Sequence, residues 1–140
     1  MFIVTGGAGF IGSEFVRQGV KRGYRIVVVD KLTYAGDLER LKEVEGRYKF
    51  YKTDICHKIQ LGSVLKKEKP DSIVHFAAES HVDRSIQDAS PFIETNIVGT
   101  QILCDLSRKY GIRRVIHIST DEVYGDIIKG SFTEDSPLKP

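Results

Sequence analysis

The chain has 140 residues, 41% of them hydrophobic and 29% charged, which suits one compact domain with a single core. Its 21 Lys and Arg residues nearly balance 19 Asp and Glu residues, and the net charge of +2 excludes the basic surface of a nucleic-acid or membrane binder. The cysteines, Cys56 and Cys104, form no C-x-x-C motif, so we expect no disulfide scaffold and a reducing, cytoplasmic location. No apolar run approaches the ~20 residues of a membrane span, and the residues after Met1 do not resemble a signal peptide.

Apolar runs and helically spaced apolar residues alternate along the chain. The pattern predicts strands at 2–4, 25–29, 48–53, 72–76 and 113–119, and helices at 10–23, 37–45, 59–69 and 91–111. Because several strands are apolar without polar interruption, this alternation predicts an α/β domain with a parallel sheet covered on both faces. After Thr120 the pattern gives way to a polar tail rich in Gly, Ser and Pro.

A glycine-rich turn lies between the first predicted strand and the first predicted helix. Residues 6–12, GGAGFIG, fit both G-x-G-x-x-G and G-x-x-G-x-x-G. In this context the motif predicts a dinucleotide site in which the helix N-terminus faces a pyrophosphate, although a tight turn without a ligand is the structural alternative.

An acidic residue follows the second predicted strand. Asp30 lies about 18 positions after Gly12, close to where a carboxylate that binds the adenosine ribose is expected. Such a carboxylate favours NAD over NADP because it repels a 2′-phosphate. The neighbouring Lys31 could tolerate that phosphate. We therefore expect NAD to be preferred, but Lys31 weakens this expectation.

Four segments together carry a family resemblance: TGGAGFIGS at 5–13, DKLTYAG at 30–36, HFAAESHVDRS at 75–85 and STDEVYG at 119–125. They resemble the extended short-chain dehydrogenase/reductase superfamily and, within it, the dTDP-glucose 4,6-dehydratase family. The likeness covers essentially the whole chain, and the last two segments narrow it to nucleotide-sugar dehydratases. It implies a Rossmann-type doubly wound parallel sheet, for which we expect the strand order 3-2-1-4-5, with NAD as cofactor and dTDP-glucose or a related nucleotide sugar as substrate.

The resemblance also implies a reaction and catalytic residues. The sugar is oxidised at C4 by bound NAD, water is eliminated across C5 and C6, and C6 is then reduced. By resemblance, Asp121 protonates the departing C6 hydroxyl, Glu122 removes the C5 proton, and Thr120 hydrogen-bonds the substrate near C4. On sequence alone the same Thr-Asp-Glu segment could be a turn or a helix cap.

Cofactor contacts implied by the resemblance are spread over the ends of four predicted strands and one helix. They are Gly6, Gly9, Phe10, Ile11, Gly12, Asp30, Lys31, Leu32, Thr33, Asp54, Ile55, Phe76, Ala77, Ala78, Ser80 and Thr95, and Ser80 also resembles a substrate-contacting serine. Several of these residues have structural alternatives. Asp54 could cap the next helix, Ile55 and the two alanines could be packing residues, and Thr95 could be a solvent-facing helical threonine.

The histidines do not predict a metal site. His75 and His117 lie on adjacent predicted strands, but no third ligand has a suitable spacing. We interpret both residues, and His57 in a loop, as structural. The role of His81 stays open because its segment borders the expected nucleotide-sugar site.

Members of the superfamily oxidise their substrates with a Tyr-x-x-x-Lys pair on one face of a helix. Tyr48 and Lys52 give the one Y-x-x-x-K match, but they lie in a predicted strand, where four residues span roughly 13 Å. In the family the pair follows a segment resembling residues 132–140. We therefore expect residues 1–140 to be an NAD-binding N-terminal part, inactive alone, without the remaining Rossmann elements and the substrate domain.

Two alternatives stay open. One is another extended short-chain epimerase or decarboxylase, which the adjacent acids Asp121 and Glu122 disfavour, and the other is a non-catalytic NAD-binding module. The helix at 91–110 resembles one that pairs across the family's dimer, so we expect a homodimer of the full-length enzyme. We also expect the fifth strand to expose an edge and apolar surface.

Overall fold

Five parallel strands form the centre of the computed structural model, which describes residues 1–140. The strands are β1 (Phe2–Thr5), β2 (Ile26–Asp30), β3 (Lys49–Lys52), β4 (Ser72–His75) and β5 (Arg114–His117). They form one sheet in the order β3-β2-β1-β4-β5, and Ile3 of β1 is in register with Val27 of β2 and Ile73 of β4. The predicted fold class and strand order are confirmed.

Helices connect consecutive strands. They are α1 (Phe10–Lys21), a 3-10 helix (Leu38–Val44), α2 (Lys58–Glu68), α3 (Val82–Gln87), α4 (Ser90–Phe92), a π-helical segment (Ile93–Gly99), α5 (Thr100–Lys109) and a final 3-10 turn (Asp121–Tyr124). From α4 to α5 the backbone keeps helical angles throughout, so these three segments form one long helix.

Two apolar layers cover the sheet, because alternate strand residues point to opposite faces. On one face Ile3, Val27 and Val29 pack with apolar residues of α2 and α5, including Leu61 and Leu103. The opposite layer contains Val4, Val16, Val20, Ile26, Val28, Leu41 and Val44. This two-sided burial explains why successive residues in the middle of the central strands are apolar, as in Val27, Val28 and Val29 of β2.

The structure corrects three details of the predicted elements. The helix predicted at 37–45 is a 3-10 helix whose first turn is capped by the Asp37 side chain, which accepts from the Glu39 amide. The long predicted helix has a π-helical middle. The sequence pattern does not predict α3, since this helix has six residues and buries none of them, so it carries no apolar periodicity.

The edge strand β5 is exposed along its whole length. Val115, Ile116 and the following Ile118 are each more than one third exposed, which confirms the expected apolar surface at this edge. No helix within residues 1–140 combines the length and apolar character needed to cross a bilayer.

Candidate cofactor and active site

The glycine turn passes so close to the exit of β4 that no Cβ fits at Gly6. Gly6 has φ +68°, and a Cβ on it would lie 2.5 Å from the amide nitrogen of Ala77. A Cβ on the buried Gly12 would collide with the carbonyl oxygen of Gly6. Glycine is therefore required at both positions, and the start of α1 is left open to an anion.

Asp30 at the end of β2 is held in place by two backbone amides. Its Oδ2 accepts from the amide of Ala8 in the glycine turn at 3.0 Å, and its Oδ1 accepts from the amide of Leu32 at 2.8 Å. Because each carboxylate oxygen can accept a further hydrogen bond, Asp30 can still bind a pair of hydroxyls. These bonds also fix the carboxylate beside the turn.

Lys31 points across the cleft and is already paired. Its Nζ lies 3.3 Å from Oδ2 of Asp54 and 3.4 Å from Oγ1 of Thr95. Partial burial opposes ionisation of Asp54, but hydrogen bonds from Cys56 and the charge of Lys31 outweigh it and hold the pKa of that carboxyl below its ordinary value. The Lys31 charge is thus largely compensated within the protein.

A cleft of about 520 Å³ opens between these residues at the carboxyl ends of β1 to β4. This edge of a parallel sheet is where α/β folds bind ligands. Of the residues expected to contact a cofactor, the cleft is lined by Gly6, Gly9, Asp30, Lys31, Thr33, Asp54, Ile55, Phe76, Ala77, Ala78 and Thr95. The structure therefore brings together most of the cofactor-site residues named from the sequence.

Five expected contacts lie outside this cleft. Phe10 and Ile11 are 84% and 62% exposed at the start of α1, and Gly12 is buried beneath the turn. Leu32 contributes its amide to Asp30, and Ser80 lines a second cleft instead.

Sequence reasoning missed some lining residues of the first cleft: Val29, Ala35, Gly36, Thr53 and Glu79. Ala35, Gly36 and Glu79 belong to two of the motif segments and could have been found there. Val29 lies one residue before the end of β2 and Thr53 directly follows β3, and the sequence gives no other sign that either residue lines a cleft.

A second cleft of about 930 Å³ adjoins the first and shares Ala77, Ala78 and Glu79 with it. Ser80, Thr120 and Glu122 line this cleft, whereas Asp121 does not. The hydroxyl of Thr120 donates to Asp121 at 3.3 Å and accepts from the amide of Glu122 at 3.3 Å. Thr120 thus also has the capping role that its sequence allows, and both acids are exposed on a short turn after β5.

The wall between the clefts is held by the long helix. The Asn96 side chain accepts from the amide of Glu79 and donates to its carbonyl oxygen, both at 2.8 Å. On the opposite side, the Tyr34 hydroxyl donates to Glu79, and the Arg84 guanidinium lies 3.8 Å from the centre of the Tyr34 ring. These contacts link the loop after β2 to the segment after β4.

Neither the histidines nor the Tyr48–Lys52 match forms a metal or catalytic cluster in residues 1–140. His75 is buried and hydrogen-bonded, His117 is exposed on β5, and His57 precedes α2. His81 is the exposed residue before α3, and no group of three His, Cys, Asp or Glu residues suited to a metal is found in residues 1–140. Tyr48 precedes β3 and Lys52 ends it, so this pair does not share a helix face.

Comparisons with known proteins agree with this architecture. A family model described as GDP-mannose 4,6 dehydratase matches residues 3–140. A dTDP-glucose 4,6-dehydratase from Escherichia coli is 53% identical over 137 residues, which cover 89% of this chain and 38% of that protein.

Solved structures give the same relationship. A dTDP-glucose 4,6-dehydratase from Streptomyces venezuelae with NAD bound has a TM-score of 0.91 and 51% identity, covering 99% of this chain and 45% of that one. A UDP-glucose 4-epimerase from Thermus thermophilus in complex with NAD has a TM-score of 0.89 and 31% identity, covering 99% and 44%. The chain thus spans about two fifths of the length of these relatives.

Proposed function

The chain belongs to the GDP-mannose 4,6-dehydratase family, and we propose that residues 1–140 bind NAD as the N-terminal part of a dTDP-glucose 4,6-dehydratase. The observation that carries this proposal is the first cleft, where the glycine turn and Asp30 lie side by side. The relatives with NAD bound support the choice of cofactor.

The residues of the cleft fit a dinucleotide. Gly6 and Gly9 line the cleft and carry no side chain, so a pyrophosphate could approach the backbone of the turn and the start of α1. Asp30 would accept hydrogen bonds from the adenosine ribose. Lys31, paired with Asp54, offers little free charge for a 2′-phosphate, which favours NAD over NADP.

The second cleft would receive the sugar of dTDP-glucose or a related nucleotide sugar. NAD supplies the oxidation at C4 and the later reduction at C6 when it is bound. Ser80 and Thr120 would orient the sugar by hydrogen bonds, Glu122 would take the proton from C5, and Asp121 would give a proton to the departing C6 hydroxyl. Asp121 and Glu122 are adjacent on one turn, which suits two acids that act on neighbouring carbons of one sugar.

Calorimetric titration of the 140-residue chain with NAD and with NADP tests the cofactor proposal. We expect NAD to bind more tightly, and Asp30→Asn to weaken NAD by about tenfold, or 1.4 kcal/mol. Tighter binding of NADP by the unsubstituted chain would contradict the role given to Asp30.

The dehydratase reaction is tested in a chimera that joins residues 1–140 to the remaining part of the E. coli relative. We expect it to convert dTDP-glucose to the 4-keto-6-deoxy sugar, and Asp121→Asn to lower kcat by about 10²-fold without changing the amount of bound NAD. Formation of the C4 epimer instead would favour the epimerase alternative, and NAD binding with no turnover by a folded chimera would favour the non-catalytic one.

Dimerisation and a cytoplasmic location complete the proposal. Ile93 and Ile97, four residues apart on the long helix, are 53% and 61% exposed, which supports a helix-mediated homodimer of the full-length enzyme. Light scattering of the chimera should give a dimer and that of its Ile97→Glu variant a monomer, whereas an unchanged mass would contradict this surface. Cys56 and Cys104 are free thiols, in keeping with a reducing compartment.

A further inference from the structure

A buried histidine connects three elements of the fold. His75, the last residue of β4, is 1% exposed. Its Nδ1 lies 2.6 Å from the hydroxyl of Thr5 at the end of β1, and its Nε2 lies 3.1 Å from the hydroxyl of Thr100 at the start of α5. The imidazole therefore spans the space between two strands and the long helix, using both of its nitrogens.

Each of these three residues adjoins a wall of the first cleft. Thr5 directly precedes Gly6, the first residue of the glycine turn, and His75 directly precedes Phe76 and Ala77. Thr100 follows the π-helical segment that carries Thr95 into the cleft. The glycine turn and the segment after β4 are in close contact, since no Cβ fits between Gly6 and the backbone of Ala77.

The chemistry of the imidazole suits a fixed bridge. Burial, together with the neighbouring His117, lowers the pKa of His75 to about 4, so the ring is neutral near pH 7. A neutral imidazole has one N–H donor and one acceptor, and a threonine hydroxyl can serve either. The ring of His117 on β5 lies 5.0 Å from that of His75 and is the titratable group that acts on it.

We propose that His75 is a positioning residue, which sets the spacing of the glycine turn, the β4 exit and the long helix through its bonds to Thr5 and Thr100. The inference rests on the proposed NAD site, but it assigns to His75 a role in binding that a packing residue would not have. Rigid spacing of the walls lowers the ordering cost of binding, so NAD affinity depends on two hydroxyls outside the first cleft. Thr5 lines neither cleft, whereas Thr100 lines the second.

Near-isosteric variants test the bridge without creating a cavity. Thr5→Val and Thr100→Val each remove one bond to His75, and Ser107→Ala is the control, because it removes a buried α5 hydroxyl that donates to the carbonyl of Leu103 at 2.7 Å. We expect the two threonine variants to raise the Kd for NAD about fivefold or more by calorimetry. The control should stay within about twofold of the unsubstituted chain, although urea unfolding should show comparable losses of stability for all three.

Amide hydrogen exchange without NAD gives a second measurement. The amide of Phe76 donates to the carbonyl of Thr5, and that of Gly6 donates to the carbonyl of Val29. We expect both amides to exchange faster in Thr100→Val, a substitution on another element whose hydroxyl bonds to His75, and not in Ser107→Ala.

The outcomes separate the two proposals. An unchanged Kd for NAD in both threonine variants would overturn the positioning role and leave the NAD site intact. If the unsubstituted chain bound no NAD, the proposed function would be wrong, and the exchange rates would test the role of His75 by themselves. Faster exchange in Thr100→Val would support that role. Rates equal to those of Ser107→Ala would overturn it.

Discussion

Replacing Gly6 by alanine should destabilise the chain through two separable effects. The first is conformational, because Gly6 has φ +68° and an L-residue in that region costs about 1–2 kcal/mol. The second is steric. The added Cβ would lie 2.5 Å from the amide nitrogen of Ala77 and 2.7 Å from the carbonyl carbon of Phe76, both of them backbone atoms that cannot rotate away.

The magnitude follows from adding these effects. Forcing a methyl group into a tightly packed place costs about 1–3 kcal/mol. Gly6→Ala should therefore lower the free energy of unfolding by about 2–5 kcal/mol, the sum of this range and the conformational one. Since small domains are stable by only about 5–15 kcal/mol, the loss should be large enough to measure directly.

Gly111 offers a matched control, because its φ of +66° is nearly that of Gly6 while a Cβ added to it would meet nothing within 4 Å. Urea unfolding followed by circular dichroism should give a loss of about 1–2 kcal/mol for Gly111→Ala, the conformational part alone. The difference between the two variants measures the steric part. If Gly6→Ala were no more destabilising than Gly111→Ala, the close approach of the turn to β4 would be refuted.

Two further predictions concern charged pairs. Glu68→Gln should lower the free energy of unfolding by about 1–2 kcal/mol at pH 7, because the carboxylate, 3% exposed, accepts from the Tyr51 hydroxyl at 2.6 Å and from Lys49 at 2.9 Å. These two bonds, that of Tyr51 foremost, lower the pKa of Glu68 below its ordinary 4.5, so its stabilisation is full above that pH and is lost as the pH falls through the lower folded value. The difference between the urea midpoints of the two proteins should shrink as the pH falls below 4.5, and a difference that stayed constant would contradict this. Asp54→Asn should free Lys31 and lower the Kd for NADP, relative to that for NAD, about threefold in calorimetry; a gain that persisted after Lys31→Met would show that another residue is responsible.

The fold could be predicted because its signals are local. The central strands contain short apolar runs, the helices between them carry apolar residues at helical spacing, and the glycine turn occupies a strand-to-helix junction. Because these patterns depend on neighbouring residues, they appear in one sequence without knowledge of distant contacts. The short helix α3 lacks such a pattern, since none of its residues is buried.

The interactions inside the candidate site could not be predicted in the same way. From the sequence, Lys31 is a charge available to a phosphate, but in the structure it pairs with Asp54, which lies 23 positions later, just after the adjacent strand. His75 is buried, as expected of a core histidine, yet its hydrogen-bond partners lie 70 and 25 positions away. Strand order and register bring the ends of several strands together at one edge of the sheet, and so they determine which distant residues pair.

Two signatures that the sequence presents separately form one unit in space. Asp30 accepts from the amide of Ala8, while the carbonyl oxygen of Ala8 accepts from the amide of Asp37 at 3.0 Å and from the Arg40 guanidinium at 3.1 Å. The residue expected to bind the ribose therefore also holds the turn expected to bind the pyrophosphate. Loss of affinity in Asp30→Asn consequently contains both contributions. Measuring the affinity of Asp30→Asn for adenosine and for NAD would separate the two contributions, because adenosine has the ribose but no pyrophosphate. If the affinity for adenosine falls less than that for NAD, the difference measures the contribution of Asp30 to the geometry of the turn.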